Sequence, residues 1–326
     1  MIKFMIYFVF AFFAFSANAQ TTRWIMATVS TENNYQTRNV REFVNEVETA
    51  TQGRLQIQLH TSSSLLTMSQ IKRGVQTNQV QIGKFLLSSY ANEDAFYEID
   101  GIPFLTNSWE DSLLIQRESA TYISNRLSRN NLTVLSSVPW PSQGFYTNRP
   151  ITKLADLRGL KMRVYNPMTN RMASLLGANP VSIQAPEVPQ AFATNIINSM
   201  ITSAQTGVDS AAWDYSRYFV DFGGMRNRSV IVVNTTALNS LQPDVRAALL
   251  AAGQRASERG LSFAREQEVA AANRLRERGI QVANASPQLL SELQTVGDQL
   301  LQDWIQRAGP EGQAMINRYR ELQKAR

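Results

Sequence analysis

The chain has 326 residues, of which 44% are hydrophobic and 18% are charged, and its formal net charge is +6. This composition is typical of a folded globular protein, and the length allows roughly two domains. The absence of cysteine excludes disulfides and cysteine nucleophiles, and a single histidine, His60, argues against many enzyme classes. Because the basic residues are scattered among acidic ones, we expect no nucleic-acid partner.

The N-terminal residues 1–19 have the organisation of a signal peptide. Lys3 precedes an apolar run from Phe4 to Phe15, and Ala17-Asn18-Ala19 supplies the small-x-small pattern of a cleavage site. The run is shorter than the roughly 20 residues that a membrane-spanning helix needs. We therefore predict an exported, soluble protein that is cleaved after Ala19.

Strand and helix patterns alternate over the first hundred or so residues of the mature chain. The predicted elements are strands at 23–28, 55–59 and 79–85 and helices at 37–51 and 68–77. This alternation predicts a mostly parallel sheet, whose ligands bind beyond the carboxyl ends of the strands. Asn34 and Tyr35 in one loop, and Leu87 and Ser88 in another, are therefore expected beside a cleft.

A loop before the next predicted helix, at 110–129, carries three carboxylates, Asp94, Glu98 and Asp100. Paired carboxylates can perform acid–base chemistry, so an exported carboxylate-dependent enzyme is one alternative. A strand at 132–137 follows this helix.

Residues 139–146 form a proline-rich and aromatic crossover into a second unit. Two interpretations of Trp140 and Phe145 stay open, namely packing between the two units and stacking on a ligand.

A short predicted strand in the second unit carries an arginine. Leu160, Met162 and Val164 alternate toward a core, which places Arg163 on the opposite face, just before a bend at Asn166. A guanidinium held on a strand can bind a carboxylate through two hydrogen bonds. An ion pair between Arg163 and a surface carboxylate is the alternative.

The rest of the second unit continues the α/β pattern. A loop rich in small hydrogen-bonding side chains, 202–207, precedes a predicted helix at 209–218 that carries Trp213. A helix at 243–279 would be about 55 Å long, so we expect it to span both units. The other predicted elements are helices at 169–176, from 185 and at 287–323, and strands at 181–183, 196–201 and 230–234.

Residues 157–163 (LRGLKMR) resemble the core motif of the solute-binding proteins of tripartite ATP-independent periplasmic (TRAP) transporters, the dicarboxylate-binding-protein family. Further similar segments follow in the family's order, and together they cover essentially the whole mature chain. They are residues 101–105 (GIPFL), residues 176–181 (LGANPV), residues 187–192 (EVPQAF) and the segment after Gly207.

The resemblance implies a two-lobed α/β periplasmic binding protein with hinged lobes, a long helix spanning both, and the ligand cleft between them. We expect lobe I from residues 20–142 and about 230–262, and lobe II from residues 143–229 and about 263–326. The implied function is periplasmic capture of an organic acid and its delivery to TRAP membrane permease subunits, by a monomer without cofactor or metal. Presentation of the ligand to a membrane sensor is the alternative partner role.

The resemblance also assigns site residues. The strand arginine of the family motif, here Arg163, binds the ligand carboxylate. Gln143 stands where sialic-acid-type members have a second arginine, which indicates that the rest of the ligand is not strongly anionic. Trp140, Phe145 and Trp213 nearby favour a monocarboxylate with an apolar or aromatic body. The complete predicted site is Arg163, Gln143, Trp140, Phe145, Asn34, Tyr35, Leu87, Ser88, Asn166, Thr202, Ser203 and Trp213.

Overall fold

The structure, a computed structural model, describes residues 21–326, so the predicted signal peptide lies outside the described residues. In chain order the strands are β1 (Thr22–Thr28), β2 (Leu55–His60), β3 (Ile82–Leu86), β4 (Leu132–Pro139), β5 (Gln143–Thr147), β6 (Lys161–Val164), β7 (Asn179–Ser182), β8 (Ser199–Ser203), β9 (Tyr218–Asp221), β10 (Arg228–Asn234) and β11 (Gln281–Asn284).

Helices cover the faces of the sheets that these strands form. They are α1 (Tyr35–Ala50), α2 (Met68–Gln76), α3 (Trp109–Ser128), α4 (Pro167–Leu175), α5 (Val188–Ala193), α6 (Ala204–Asp209), α7 (Thr235–Ser240), α8 (Pro243–Glu277) and α9 (Pro287–Lys324). None of the helices in residues 21–326 combines the length and the apolar character needed to cross a bilayer.

In the part of the chain that the structure describes, the strands form two mixed sheets. The first has five strands in the order β2-β1-β3-β10-β4, and the second has six in the order β11-β9-β5-β8-β6-β7. The three strands β1, β2 and β3 are parallel, as their alternation with helices predicts. We call the unit built around each sheet a lobe, and the prediction of a two-lobed α/β fold is confirmed.

Within residues 21–326, three connections join the lobes. Residues 140–142 link β4 to β5, residues 222–227 link β9 to β10, and helix α8 runs alongside both. The backbone N–H of Trp140 donates to the carbonyl of Asn227 at 2.7 Å, so the first two connections lie side by side. This arrangement is that of a hinge, because few backbone segments cross between the sheets.

Helix α8 spans both lobes, as its length predicts. Its first half packs closely on β4, since a Cβ at Gly253 would lie 2.4 Å from the carbonyl oxygen of Leu135. Its second half contributes Ala271 and Leu275 to the core of the second lobe. Although glycine lowers intrinsic helix propensity, Gly253 permits the close contact between α8 and β4.

Two predictions in the second lobe are wrong. Residues 143–147 form strand β5 instead of an irregular crossover. The predicted helix at 209–218 is absent, because α6 begins earlier and ends at Asp209, only a short 3-10 turn covers Ala212–Asp214, and β9 begins at Tyr218. Helix α6 begins at Ala204 because the Ser203 hydroxyl accepts a hydrogen bond from the Thr206 N–H and caps it.

Gly207 in α6 allows the buried ring of Tyr146 to lie directly against the helix. A Cβ at this position would lie 1.9 Å from the Tyr146 hydroxyl oxygen and 2.4 Å from Cζ. We expect Gly207→Ala to lower the free energy of unfolding by about 1–3 kcal/mol, through overpacking. Urea unfolding of Gly207→Ala, Tyr146→Leu and the double variant measures this, and strictly additive effects would contradict it.

Candidate ligand-binding site

A cavity of about 330 Å³ lies between the lobes. Its walls include Asn34 and Phe85 from the first lobe and Arg163 and Ser203 from the second, and these residues follow or end parallel strands. The carboxyl ends of strands are where α/β sheets bind ligands, and the volume is within the range of small-molecule sites.

Arg163 lies on β6 with only 3% of its surface exposed. Its Nε donates to the carbonyl of Ile183 at 2.9 Å and its Nη1 to that of Ile201 at 3.4 Å. Within residues 21–326 no carboxylate pairs with it, and burial lowers the pKa of Arg163 to about 10. The alternative of a surface ion pair is therefore wrong, and the site can accept an anion from outside the chain.

Lys84 on β3 is a second buried cation that lines the same cavity. Its Nζ donates to the Ser30 hydroxyl at 2.7 Å and lies 5.5 Å from the centre of the Trp140 ring. Burial lowers the pKa of Lys84 to about 7. Sequence reasoning missed this residue, although a lysine inside an otherwise apolar strand was a signal that could have identified it.

Asp209 at the end of α6 is a carboxylate in the cavity wall. Its Oδ2 accepts from Nδ2 of Asn34 at 2.5 Å, and its Oδ1 accepts from Nε2 of Gln205 at 2.7 Å. Burial raises the pKa of Asp209 above its usual range. The carboxylate retains lone pairs that can accept a further N–H donor.

A chain of hydrogen bonds holds the remaining polar wall in place. Nδ2 of Asn227 donates to the hydroxyl of Tyr165 at 2.9 Å, and that hydroxyl donates to Oε1 of Gln143 at 3.1 Å. Nε2 of Gln143 in turn donates to the carbonyl of Pro141. Gln143 therefore orients Tyr165, whose ring lies 5.0 Å from the Arg163 guanidinium carbon.

The structure brings half of the predicted site residues together in the cavity wall. They are Arg163, Gln143, Trp140, Asn34, Thr202 and Ser203. Asn166 lies in an adjoining polar cleft, and its Nδ2 donates to the hydroxyl of Ser88 at 2.8 Å.

Besides Ser88 and Asn166, four predicted residues do not line the cavity. Phe145 packs against Phe222 in the core, and Leu87 is completely buried in the core of the first lobe. The hydroxyl of Tyr35 donates to the carbonyl of Pro139, and Trp213 packs on the core of the second lobe. These positions were chosen from aromatic character or loop position, which do not distinguish a core side chain from a ligand contact.

The carboxylates considered for acid–base chemistry lie outside the cavity wall and pair with arginines. The Asp94 carboxylate accepts from Arg126 at 2.8 Å and that of Asp100 from Arg228 at 2.6 Å. Glu98 accepts from two arginines. Within residues 21–326, no group of three or more metal-ligating side chains is placed to hold a metal ion.

The comparison with known proteins decides the family. The model of DctP, the bacterial extracellular solute-binding protein family 7, matches residues 26–307. The chain belongs to this family. The identification made from residues 157–163 is therefore confirmed.

Three solved structures are similar to this chain over almost its whole length. DctP7 and DctP6 of Bordetella pertussis are 41% and 37% identical, each with a TM-score of 0.91 and coverage of 92% of this chain and 100% of the other. A TRAP solute-binding protein from a marine metagenome is 31% identical, with a TM-score of 0.90 and coverage of 93% and 99%.

All three structures are described with the same ligand. The two Bordetella proteins are extracytoplasmic solute receptors that bind pyroglutamic acid, and the metagenome protein is in complex with co-purified pyroglutamate. The curated relatives match over shorter stretches, which span 42% and 52% of their own lengths.

Proposed function

We propose that this family-7 protein is the periplasmic solute-binding protein of a TRAP transporter, and that it captures pyroglutamate for delivery to the membrane permease subunits. The observation that carries the proposal is Arg163, a buried cation with no carboxylate partner in the described chain, in the wall of a cavity between two lobes. The ligand of the three similar structures supports this choice of acid.

Pyroglutamate has one group for each polar feature of the cavity. Its carboxylate pairs with the Arg163 guanidinium, which remains a charged donor at neutral pH. Its ring N–H donates to the Asp209 carboxylate, and its ring carbonyl accepts from Lys84. The non-polar part of the ring packs on Trp140. This small ring takes the place of the apolar or aromatic ligand body expected from the sequence.

The charges in the cavity also favour a monoanion. Arg163 and Lys84 contribute two positive charges when both are protonated, and Asp209 contributes one negative charge. A single carboxylate on the ligand brings the sum to zero, whereas a dicarboxylate leaves a buried excess of negative charge, which is costly. The proposed function is capture without catalysis, and it uses no metal or cofactor.

Mass spectrometry of the native protein after purification, together with thermal shift, tests the ligand. We expect co-purified or added pyroglutamate to raise Tm strongly, because a ligand that binds only the folded state stabilises it by mass action. Succinate, glucuronate and phenylpyruvate are the comparison acids. Strong stabilisation by one of these acids, with none by pyroglutamate, would refute the assignment.

Affinity for pyroglutamate should depend on pH through Lys84. The pKa of Lys84 is lowered to about 7 by burial, and a bound anion favours its protonated form. Affinity should therefore rise as the pH falls from 9 to 7, by up to about tenfold per pH unit, and level off below 7. Calorimetry in buffers of different ionisation enthalpy should detect proton uptake at pH 8, and Lys84→Met should abolish both the uptake and the pH dependence.

A further inference from the structure

Two asparagines join the lobes in the same way. Asn34 caps α1, because its Oδ1 accepts from the Gln36 N–H at 2.8 Å, and its Nδ2 donates across the cleft to Asp209 at 2.5 Å. Asn166 caps α4 in the second lobe, and its Oδ1 accepts from the Thr169 N–H at 2.8 Å. Its Nδ2 donates across the cleft in the opposite direction, to Ser88 of the first lobe.

The capping bond fixes each asparagine amide. Once Oδ1 accepts from the helix backbone, the position of Nδ2 is set, and the amide loses little further freedom when it bonds to the other lobe. Asn34 and Asn166 are 3% and 7% exposed, so water competes weakly for these bonds. Both pairs are therefore preorganised for the arrangement in which the lobes are together.

Ligand access requires these pairs to separate. Arg163 is 3% exposed, so an acid can reach it from solvent only after the lobes move apart. Asn34 and Asp209 belong to the cavity wall, but Ser88 and Asn166 do not. The Asn166–Ser88 pair is therefore positioned to affect closure without contacting a ligand in the cavity.

We propose that the Asn34–Asp209 and Asn166–Ser88 pairs are closure latches, which slow ligand release by holding the two lobes together. The inference rests on the proposed function for the identity of the ligand, but the latch itself is a property of the two lobes. Asn34 and Asn166 are then positioning residues, and Asn166 is not a direct ligand contact.

A double-mutant cycle on the outer latch tests this role. Ser88→Ala removes the acceptor, and Asn166→Ser keeps a capping side chain for α4 while it removes the group that reaches across the cleft. Each variant should speed the dissociation of pyroglutamate roughly fivefold, the effect of one lost hydrogen bond, and leave its association rate unchanged. The double variant should show no further increase, because both substitutions remove the same bond.

Ser174→Ala is the matched control, since the Ser174 hydroxyl of α4 donates only within its own helix, to the carbonyl of Asn170. We expect it to leave both rates unchanged. Thermal melts of every variant identify any loss of folding. Unchanged dissociation in folded Ser88→Ala, or additive effects in the double variant, would overturn the proposal.

A second measurement needs no ligand. Because the chain has no cysteine, Asn78→Cys in the first lobe and Gln190→Cys in the second give two unique sites for spin labels. Ser88→Ala should shift the distribution of distances between these exposed positions toward larger values, and an unchanged distribution would contradict the latch. If pyroglutamate does not bind at all, the proposed ligand fails while this measurement still decides the latch.

Discussion

Arg163→Met should weaken the binding of pyroglutamate by roughly a hundred- to a thousandfold, as measured by calorimetry. The substitution removes one partner of a buried, hydrogen-bonded charge pair, a change that typically costs about 2–5 kcal/mol of binding free energy. The ligand carboxylate would then be buried beside the carbonyl oxygens of Ile183 and Ile201, which repel it.

Although Arg163→Met should weaken ligand binding, it should stabilise the folded protein in the absence of ligand. In the absence of ligand, a buried guanidinium with only two backbone acceptors is costly, and burial lowers its pKa to about 10. Arg163→Met should therefore raise the free energy of unfolding of the ligand-free protein. Loss of affinity with a lower unfolding free energy would mean that Arg163 supports the fold rather than the ligand.

Lys161→Met is the control for Arg163→Met. Lys161 is a cation on the same strand, but it is exposed and its Nζ donates to the carbonyl of Asn195. Its replacement should leave affinity for pyroglutamate within about twofold, because exposed charges contribute little. An equal loss of affinity in both variants would indicate a general effect of positive charge.

The second large effect concerns the ring N–H of the ligand. The lactone analogue of pyroglutamate, in which oxygen replaces this N–H, should bind at least about a hundredfold more weakly, because a site built to accept an N–H strongly rejects an analogue that lacks it. The lone pairs of the ring oxygen would face the carboxylate of Asp209, and that repulsion adds to the lost hydrogen bond.

Asp209→Asn gives the matched variant for this comparison. An amide at position 209 can donate to the lactone oxygen, so the preference for lactam over lactone should shrink, although overall affinity also falls with loss of the Asn34 contact. The ratio of the two dissociation constants, rather than either one, is the quantity to measure. Equal binding of lactam and lactone by the unchanged protein would exclude Asp209 as the acceptor.

The sequence was sufficient for features that depend on local pattern. Alternation of apolar residues around Arg163 predicted its strand and its position opposite the core, and the alternation of strands and helices predicted the parallel half of the first sheet. The length of α8 predicted that it spans both lobes. In each case the feature is caused by a pattern of residues that are close together in the sequence.

Features that depend on distant contacts were not predictable in this way. Asp209 meets Asn34 across 175 residues of sequence, so neither partner indicates the other. Phe145 was considered for ligand stacking, but its place opposite Ile201 in the sheet directs it into the core. Strand β9 was missed because strand pairing depends on neighbours that the local sequence does not contain.

The two cations of the cavity stand on opposite lobes, Lys84 on β3 of the first sheet and Arg163 on β6 of the second. When both are protonated, each presents a positive charge to the cavity from its own lobe. Under the proposed function, a monoanion between them would be a shared counter-ion, attracted from both lobes at once. Closure of the lobes would then be coupled to the charge of the ligand, and we expect a neutral molecule of the same shape to fill the cavity without drawing the lobes together.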